Sequence, residues 1–314
     1  MGRPISTLTP VARAYAGAAD LRRLEESLAH AYTSTSLRVG DLSWLSRDHT
    51  HRELALDIRL WEDATGQLIA WTYFRSNGEF NVFIVPGTGH AEDAALADAL
   101  LGTIEDAART SVAAGDPPVT LMTYAIDAGR SAEERTLAAA LDRFGYQPDP
   151  SETSAGVLAR SLDDLPAVSL PPGYHSGWVS TPALVTGRVE AHRAAFAPSD
   201  LSVKRYERVQ RTWAYRAELD RVVVVTDSGE VVAFCTAWFD EHNAAGLLEP
   251  VGTHPAHQQR GLGRAVCLDA LHALRASGAR RAQVAYATPA AFATYTSAGF
   301  QPVPGERVFA KALA

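Results

Sequence analysis

The stretch that decides the fold is Gly246-Leu-Leu-Glu-Pro-Val-Gly-Thr-His-Pro-Ala-His-Gln-Gln-Arg-Gly-Leu-Gly-Arg-Ala265. It begins as an apolar, β-rich run and passes through a loop bearing His254 and His257. It ends in glycines that open a helix-periodic segment, expected over Gly263–Ser277. Gln258, Gly261 and Gly263 stand in the spacing Q-x-x-G-x-G at that helix start. Glycine lets the backbone approach a ligand closely, and the free N–H groups of a helix N-terminus favour an anion. A pyrophosphate suits both features. The spacing is not that of a Walker A loop, which ends in Gly-Lys-Ser/Thr, nor the Rossmann G-x-G-x-x-G.

Working outward, the flanking pattern occurs twice. Phe144-Gly-Tyr-Gln-Pro148 recurs as Ala298-Gly-Phe-Gln-Pro302, each followed by an alternating stretch, Gly156–Leu162 and Arg307–Leu313. Gly66-Gln-Leu-Ile-Ala-Trp71 matches Gly229-Glu-Val-Val-Ala-Phe234. The first copy reads as helix Ala18–Tyr32, strands Glu53–Trp61, Leu68–Arg75 and Phe80–Val85, helix Ala91–Ala113, strand Val119–Ala125 and helix Ala132–Phe144. The second reads as helix Ala183–Ala195, strands Arg221–Thr226, Val231–Phe239 and Gly246–Gly252, helix Gly263–Ser277, strand Ala282–Ala287, helix Ala290–Ala298 and strand Val308–Leu313. Strands alternating with crossover helices predict an α/β (α+β) three-layer architecture, duplicated. The Pro-rich stretch from Leu165 to Gly173 predicts domains over 1–162 and 174–314, with a linker at 163–173.

Composition bounds the rest. The chain has 314 residues, a net charge of −7, 46% hydrophobic and 21% charged residues, an ordinary folded balance with length for two domains. Mild acidity argues against a nucleic-acid partner. No apolar run is long enough for a membrane span, and Met1–Pro10 has no apolar core of a secretory signal, so the expectation is a cytoplasmic protein. Cys235 and Cys267 alone give no disulfide framework, and no spacing of metal ligands occurs. Of the 29 basic residues only Lys204 and Lys311 are lysine.

Two motifs together resemble the GNAT superfamily of N-acetyltransferases: Gln258–Gly263, and Ala291-Phe-Ala-Thr-Tyr295-Thr-Ser-Ala-Gly299-Phe300 after the next strand. The resemblance implies two tandem GNAT folds, acetyl-CoA as co-substrate and a primary amine of a small molecule as acceptor. It places coenzyme contacts at Val251, Gly252, Thr253, Gln258, Gln259, Arg260, Gly261, Leu262, Gly263 and Arg264. Thr288 stands where the family often has asparagine. Tyr295 takes the role of hydrogen-bonding or protonating the departing sulfur. The likeness is specific over about Val222–Leu313. In the first copy the loop is Val85-Pro-Gly-Thr-Gly-His90, the helix opens on Ala91, Glu92 and Asp93, and Leu141 replaces the tyrosine, so that copy is expected to be degenerate. The tandem layout is similar to that of the mycothiol synthases, though nothing in the residues encodes their acceptor. Mycothiol synthesis, protein N-acetylation and a non-catalytic acyl-CoA-binding regulatory module remain the alternatives.

Acyl transfer to an amine needs a proton acceptor, an oxyanion donor and an acid for the thiolate. Glu249 is the candidate base, and strict alternation puts it on the face of Leu247 and Val251. A carboxylate there serves the acceptor amine or pairs with a neighbouring backbone group or arginine. Pro250 marks a locally unpaired or bulged strand. Cys267, inside an apolar helix, reads as packing. Trp213, Tyr215, Arg216, Trp238 and Asp240 are the candidate acceptor-site residues. Acetyl-CoA and the amine are the expected partners, in a monomer or homodimer.

Overall fold

The computed structural model describes residues 10–31, 37–126, 131–149, 156–303 and 306–313. Most of the N-terminal stretch and Tyr32 lie outside these. Chain order runs β1 (Val11–Ala14), α1 (Ala18–His30), α2 (Asp41–Leu45), α3 (His51–Asp57), β2 (Ile58–Glu62), β3 (Leu68–Phe74), β4 (Phe80–Ile84), α4 (Ala94–Ala113), β5 (Thr120–Ile126), α5 (Ala132–Arg143) and β6 (Gln147–Pro148). It continues through β7 (Gly156–Ser161), β8 (Tyr174–Trp178), α6 (Pro182–Ala195), α7 (Val203–Gln210), β9 (Asp220–Val225), β10 (Val231–Asp240) and β11 (Ala245–Thr253). The last elements are α8 (Leu262–Ala276), β12 (Arg281–Tyr286), α9 (Pro289–Ser297), β13 (Gln301–Pro302) and β14 (Glu306–Ala312).

The duplication is visible in local geometry. Both α5 and α9 stop on a left-handed glycine, Gly145 at φ +79° and Gly299 at φ +90°. Each is followed by the same closing bond, Tyr146 N–H to Leu141 O at 2.9 Å and Phe300 N–H to Tyr295 O at 3.1 Å. One expected strand is corrected: Glu53–Trp61 begins as helix, because Thr50 and Glu53 form a reciprocal capping box that starts α3, and the strand opens only at Ile58.

Two compact units form, one of Met1–Leu37, His49–Ser154 and Gly305–Ala314, the other of Arg38–Asp48 and Ala155–Pro304. They do not follow the expected division around 163–173. The copies exchange their last long strands: β7 runs antiparallel to β12 from Ser161↔Arg281 to Gly156↔Tyr286, and β14 runs antiparallel to β5 from Glu306↔Ile126 to Ala312↔Thr120. The stretch 163–173 joins β7 to β8 within the second unit. There Leu165, Val168 and Leu170 pack on the core, and His272 Nε2 donates to Pro166 O at 2.9 Å.

The first unit carries β1-β2-β3-β4 and β5-β14-β6, with Glu79↔Met122 as a parallel bridge between β4-side and β5-side residues. Its core joins β3 and β4 to α4 and α5. The second unit is built on the seven-stranded order β13-β7-β12-β11-β10-β9-β8. Strand β10 is buried along its whole length, as a strand covered on both faces must be. Cys235, Ala237 and Phe239 meet α8 on one face, while Phe234 meets Ala191 and Ala195 of α6 on the other, which gives three layers.

Candidate active site

Strand β11 begins beside β12 and then leaves it. Parallel pairing covers Ala245↔Arg281, Gly246↔Ala282 and Leu247↔Gln283, whereas the antiparallel pairing with β10 continues to Thr253. The second half of β11 therefore turns one row of backbone groups into a cleft. Its register slips once, from Ala237↔Leu248 to Cys235↔Val251, so Glu249 and Pro250 form the bulge that Pro250 led one to expect. The bulge corrects the expected alternation. Leu248 and Val251 both join the α8-side core, while Glu249 stays on the face of Leu247, whose partner is Trp238.

Below the cleft mouth, Gln259 at φ +60° and Gly261 at φ +78° coil the loop tightly onto α8. Gly261 is the N-cap of α8 and supplies no side-chain capping bond. The N–H groups of the helix's first turn are thus left to whatever occupies the space before them. That space is a groove of about 500 Å³, walled by Val251–Thr253, Gln258, Gln259, Gly261–Arg264 and the Ala290–Ser297 face of α9. A Cβ on Gly261 would meet nothing within 4 Å, and one on Gly263 would stand 3.1 Å from Thr294 Cγ2. Open backbone, a helix dipole and a long walled channel fit a diphosphate with an extended arm.

The predicted coenzyme residues divide by what they can offer. Leu262 is buried, so only its backbone faces the groove. Gln258 is exposed, its Nε2 donating to Thr253 O at 3.3 Å. Arg264 Nε donates to Ser297 O at 2.8 Å and fastens α8 to α9. Arg260 bonds the Tyr174 hydroxyl at 2.9 Å, and that hydroxyl meets His257 Nδ1 at 3.0 Å, so both side chains brace the loop. Thr288 caps α9, accepting from Ala291 N–H at 3.1 Å, and lies outside the groove wall.

Tyr295 lines the groove with its ring edge-on to Phe300 at 6.3 Å. Burial, with a smaller contribution from the Cys267, Cys235 and Glu249 charges, holds its phenol well above the usual range. It is consequently a protonated donor at neutral pH.

Glu249 has a partner that the sequence did not reveal. Trp238 Nε1 donates to the Glu249 carbonyl at 2.7 Å, and Gly40 lies so close on the Trp238 indole that a Cβ there would stand 2.2 Å from Cγ. This brings Asp41, at the start of α2, into a side-chain hydrogen bond with Glu249. Burial and then the Asp41 charge push the Glu249 carboxyl well above the carboxylate range, with Arg47 opposing. Burial also raises Asp41, against hydrogen bonds from Glu249 and the Arg38 N–H and the Arg38 charge.

The acceptor candidates do not gather at one spot. Tyr215 packs edge-on to Trp238 at 6.4 Å, but its hydroxyl donates to buried Asp220 at 2.9 Å. Asp240 takes Asn243 Nδ2 at 2.7 Å at the β10–β11 hairpin, and Arg216 pairs with Glu241 there, both at the sheet end away from the bulge. Trp213 is half exposed. None of the five lines the groove.

In the first unit the corresponding helix start is closed. Asp93 caps α4 by accepting from Leu96 N–H at 2.9 Å, and Leu141 is buried in the core. A carboxylate already holds the position an anion would need.

Residues 188–300 match the model of the acetyltransferase (GNAT) family. A GCN5-related N-acetyltransferase from Sphaerobacter thermophilus is 20% identical at a TM-score of 0.59, aligning 96% of this chain with 95% of that one. A tandem GNAT protein from the clavulanic acid biosynthesis pathway is 15% identical at a TM-score of 0.61, over 97% and 98%. A GNAT-family acetyltransferase from Colwellia psychrerythraea is 12% identical at 0.57, over 97% and 100%. At these identities the likeness is one of fold. No curated protein matches the chain.

Proposed function

From the match of residues 188–300 to the acetyltransferase (GNAT) family model, we propose that the second unit is a GNAT acetyltransferase, transferring acetyl from acetyl-CoA to a primary amine of a small molecule by direct attack. The observation that carries this reading is the groove between the parted β11 and the α8–α9 wall, with the uncapped start of α8 and Tyr295 in its wall and Glu249 two residues before Val251 on β11. Acetyl-CoA, when bound, supplies the thioester carbonyl. The backbone at Gly261–Arg264 holds its diphosphate, and the free edge of Val251–Thr253 orients the arm and the oxyanion. Tyr295 donates toward the leaving sulfur. Glu249 takes a proton from the acceptor nitrogen. The first unit serves as a structural copy, because Asp93 and Leu141 replace the anion site and the acid.

Isothermal titration with acetyl-CoA tests the reading. The wild type binds one equivalent, and Gly261→Glu loses binding by about tenfold or more, since a carboxylate enters the anion site where the φ already excludes most side chains. Wild type without binding, or undiminished binding in the variant, overturns it. Release of free thiol from acetyl-CoA with a panel of primary amines distinguishes an enzyme from a binding module.

A further inference from the structure

Glu249 reaches its base position through a residue far away in sequence. The segment Arg38–Asp48 belongs to the second unit. It is anchored at both ends: Arg38 Nε donates to Gln283 Oε1 of β12 at 2.8 Å, and Arg208 of α7 donates to Ser46 O at 2.9 Å and Arg47 O at 2.5 Å. Between these anchors Trp44 packs against His192 of α6 with centroids 5.8 Å apart. Gly40 accepts the face of Trp238, and the same indole holds the Glu249 carbonyl. Asp41 Oδ2 takes the Arg38 N–H at 2.5 Å, which fixes its carboxyl against Glu249.

We propose that Asp41 is a positioning residue for Glu249, the two carboxyls sharing one proton in the resting protein, so that the proton acceptor for acyl transfer is this pair. The proposal rests on the acetyltransfer reading above for its purpose and on the packing of Arg38–Asp48 for its existence. At rest the Glu249 carboxyl donates to the Asp41 carboxylate, and two like charges at hydrogen-bond range cannot both ionise without cost. Loss of the shared proton to solvent readies Glu249. An acceptor arriving as an ammonium then sheds two protons on becoming an amide. One passes to Glu249 and the other leaves on the thiol as the C–N bond forms and the C–S bond breaks. Two carboxylates favour such a cationic acceptor over a neutral one.

The groups facing the pair set the pH of this step. Burial and the mutual repulsion of Asp41 and Glu249 push the ionisation up. Arg38 and Arg47 from the same segment pull it down, and the Tyr295 phenol across the sheet remains protonated throughout. Arg47 is itself held over the Trp44 ring at 4.6 Å and paired with Asp48 at 3.1 Å.

The test is carboxyl carbon NMR of the full chain labelled at the Glu and Asp side-chain carboxyls, titrated without acetyl-CoA or acceptor. The Glu249 signal titrates well above the ordinary carboxylate range of about 4. In Asp41→Asn its midpoint falls by about one pH unit or more. The Asp41 signal carries the same high-pH step in wild type and loses it in Glu249→Gln. If either variant fails to fold, the other decides. A Glu249 midpoint in the ordinary range, an unmoved midpoint in Asp41→Asn, or an Asp41 step that survives in Glu249→Gln overturns the proposal. Because no coenzyme is present, this experiment can fail while acetyl-CoA still binds, and binding can fail while the pair titrates as described.

Discussion

The indole nitrogen of Trp238 donates to the carbonyl oxygen of Glu249 at 2.7 Å, across the one place where β10 and β11 lose register. A bulge leaves backbone groups without ladder partners, and here a side chain from the opposite strand satisfies one of them. Trp238 was a candidate for the acceptor site, yet its ring is buried and it bonds the backbone of Glu249. Trp238→Phe keeps an aromatic ring but removes the donor and some volume. The expected cost is about 2–4 kcal/mol in chemical denaturation. Stability equal to wild type would show that the carbonyl needs no such partner.

A second consequence concerns Gly252. Its missing side chain admits Phe234 and Ala195, since a Cβ would stand 2.3 Å from Phe234 Cζ and 3.0 Å from Ala195 Cβ. Gly252→Ala therefore displaces either β11 or the α6 layer. We expect a loss of about 1–3 kcal/mol in stability together with weaker acetyl-CoA binding by calorimetry. Unchanged values on both measurements would mean that the strand has room to spare.

His192 supplies a pH dependence whose sign is fixed. Burial, then the Arg188 and Arg47 charges, lower its pKa to about 3. The unfolded chain binds a proton near pH 6.5 that the folded chain refuses, so stability is full above that pH and declines between about 6.5 and 3, at up to about 1.4 kcal/mol per pH unit. His192→Gln removes the titration. Its denaturation midpoint should fall less steeply than that of wild type from pH 7 to pH 4. Parallel curves would exclude His192 as the source.

Much of the second unit was legible because its signals are local. The glycines at Gly261 and Gly263 and the stop at Gly299 each act within one helical turn, and α6, α8 and α9 begin and end within a residue of the expected positions, whereas α2 and α7 were not expected. The capping box at Thr50 in the first copy shows the opposite limit. A strand-like composition over Glu53–Asp57 yields to a two-residue cap that ties down the backbone. Asp41 was invisible for a different reason. Its role depends on a glycine meeting an indole from the other copy, and no periodicity reports a contact of that kind.

The exchange of β7 and β14 was equally hidden. Gly156–Leu162 and Arg307–Leu313 carry the same alternation of apolar and polar residues, so either stretch satisfies the pleat of either sheet. Local pattern specifies that a strand forms there and leaves its partner open.

That exchange governs how the protein is made. Chains generally fold from the N-terminus as they leave the ribosome. The first unit's β5–β6 edge must nevertheless wait for β14, which is synthesised after every other strand of both sheets. During that interval β5 presents an unpaired edge, and the nascent first copy is exposed to association with other chains. The first unit is thus the last to close, and the second, whose sheet takes β7 early, is complete before it.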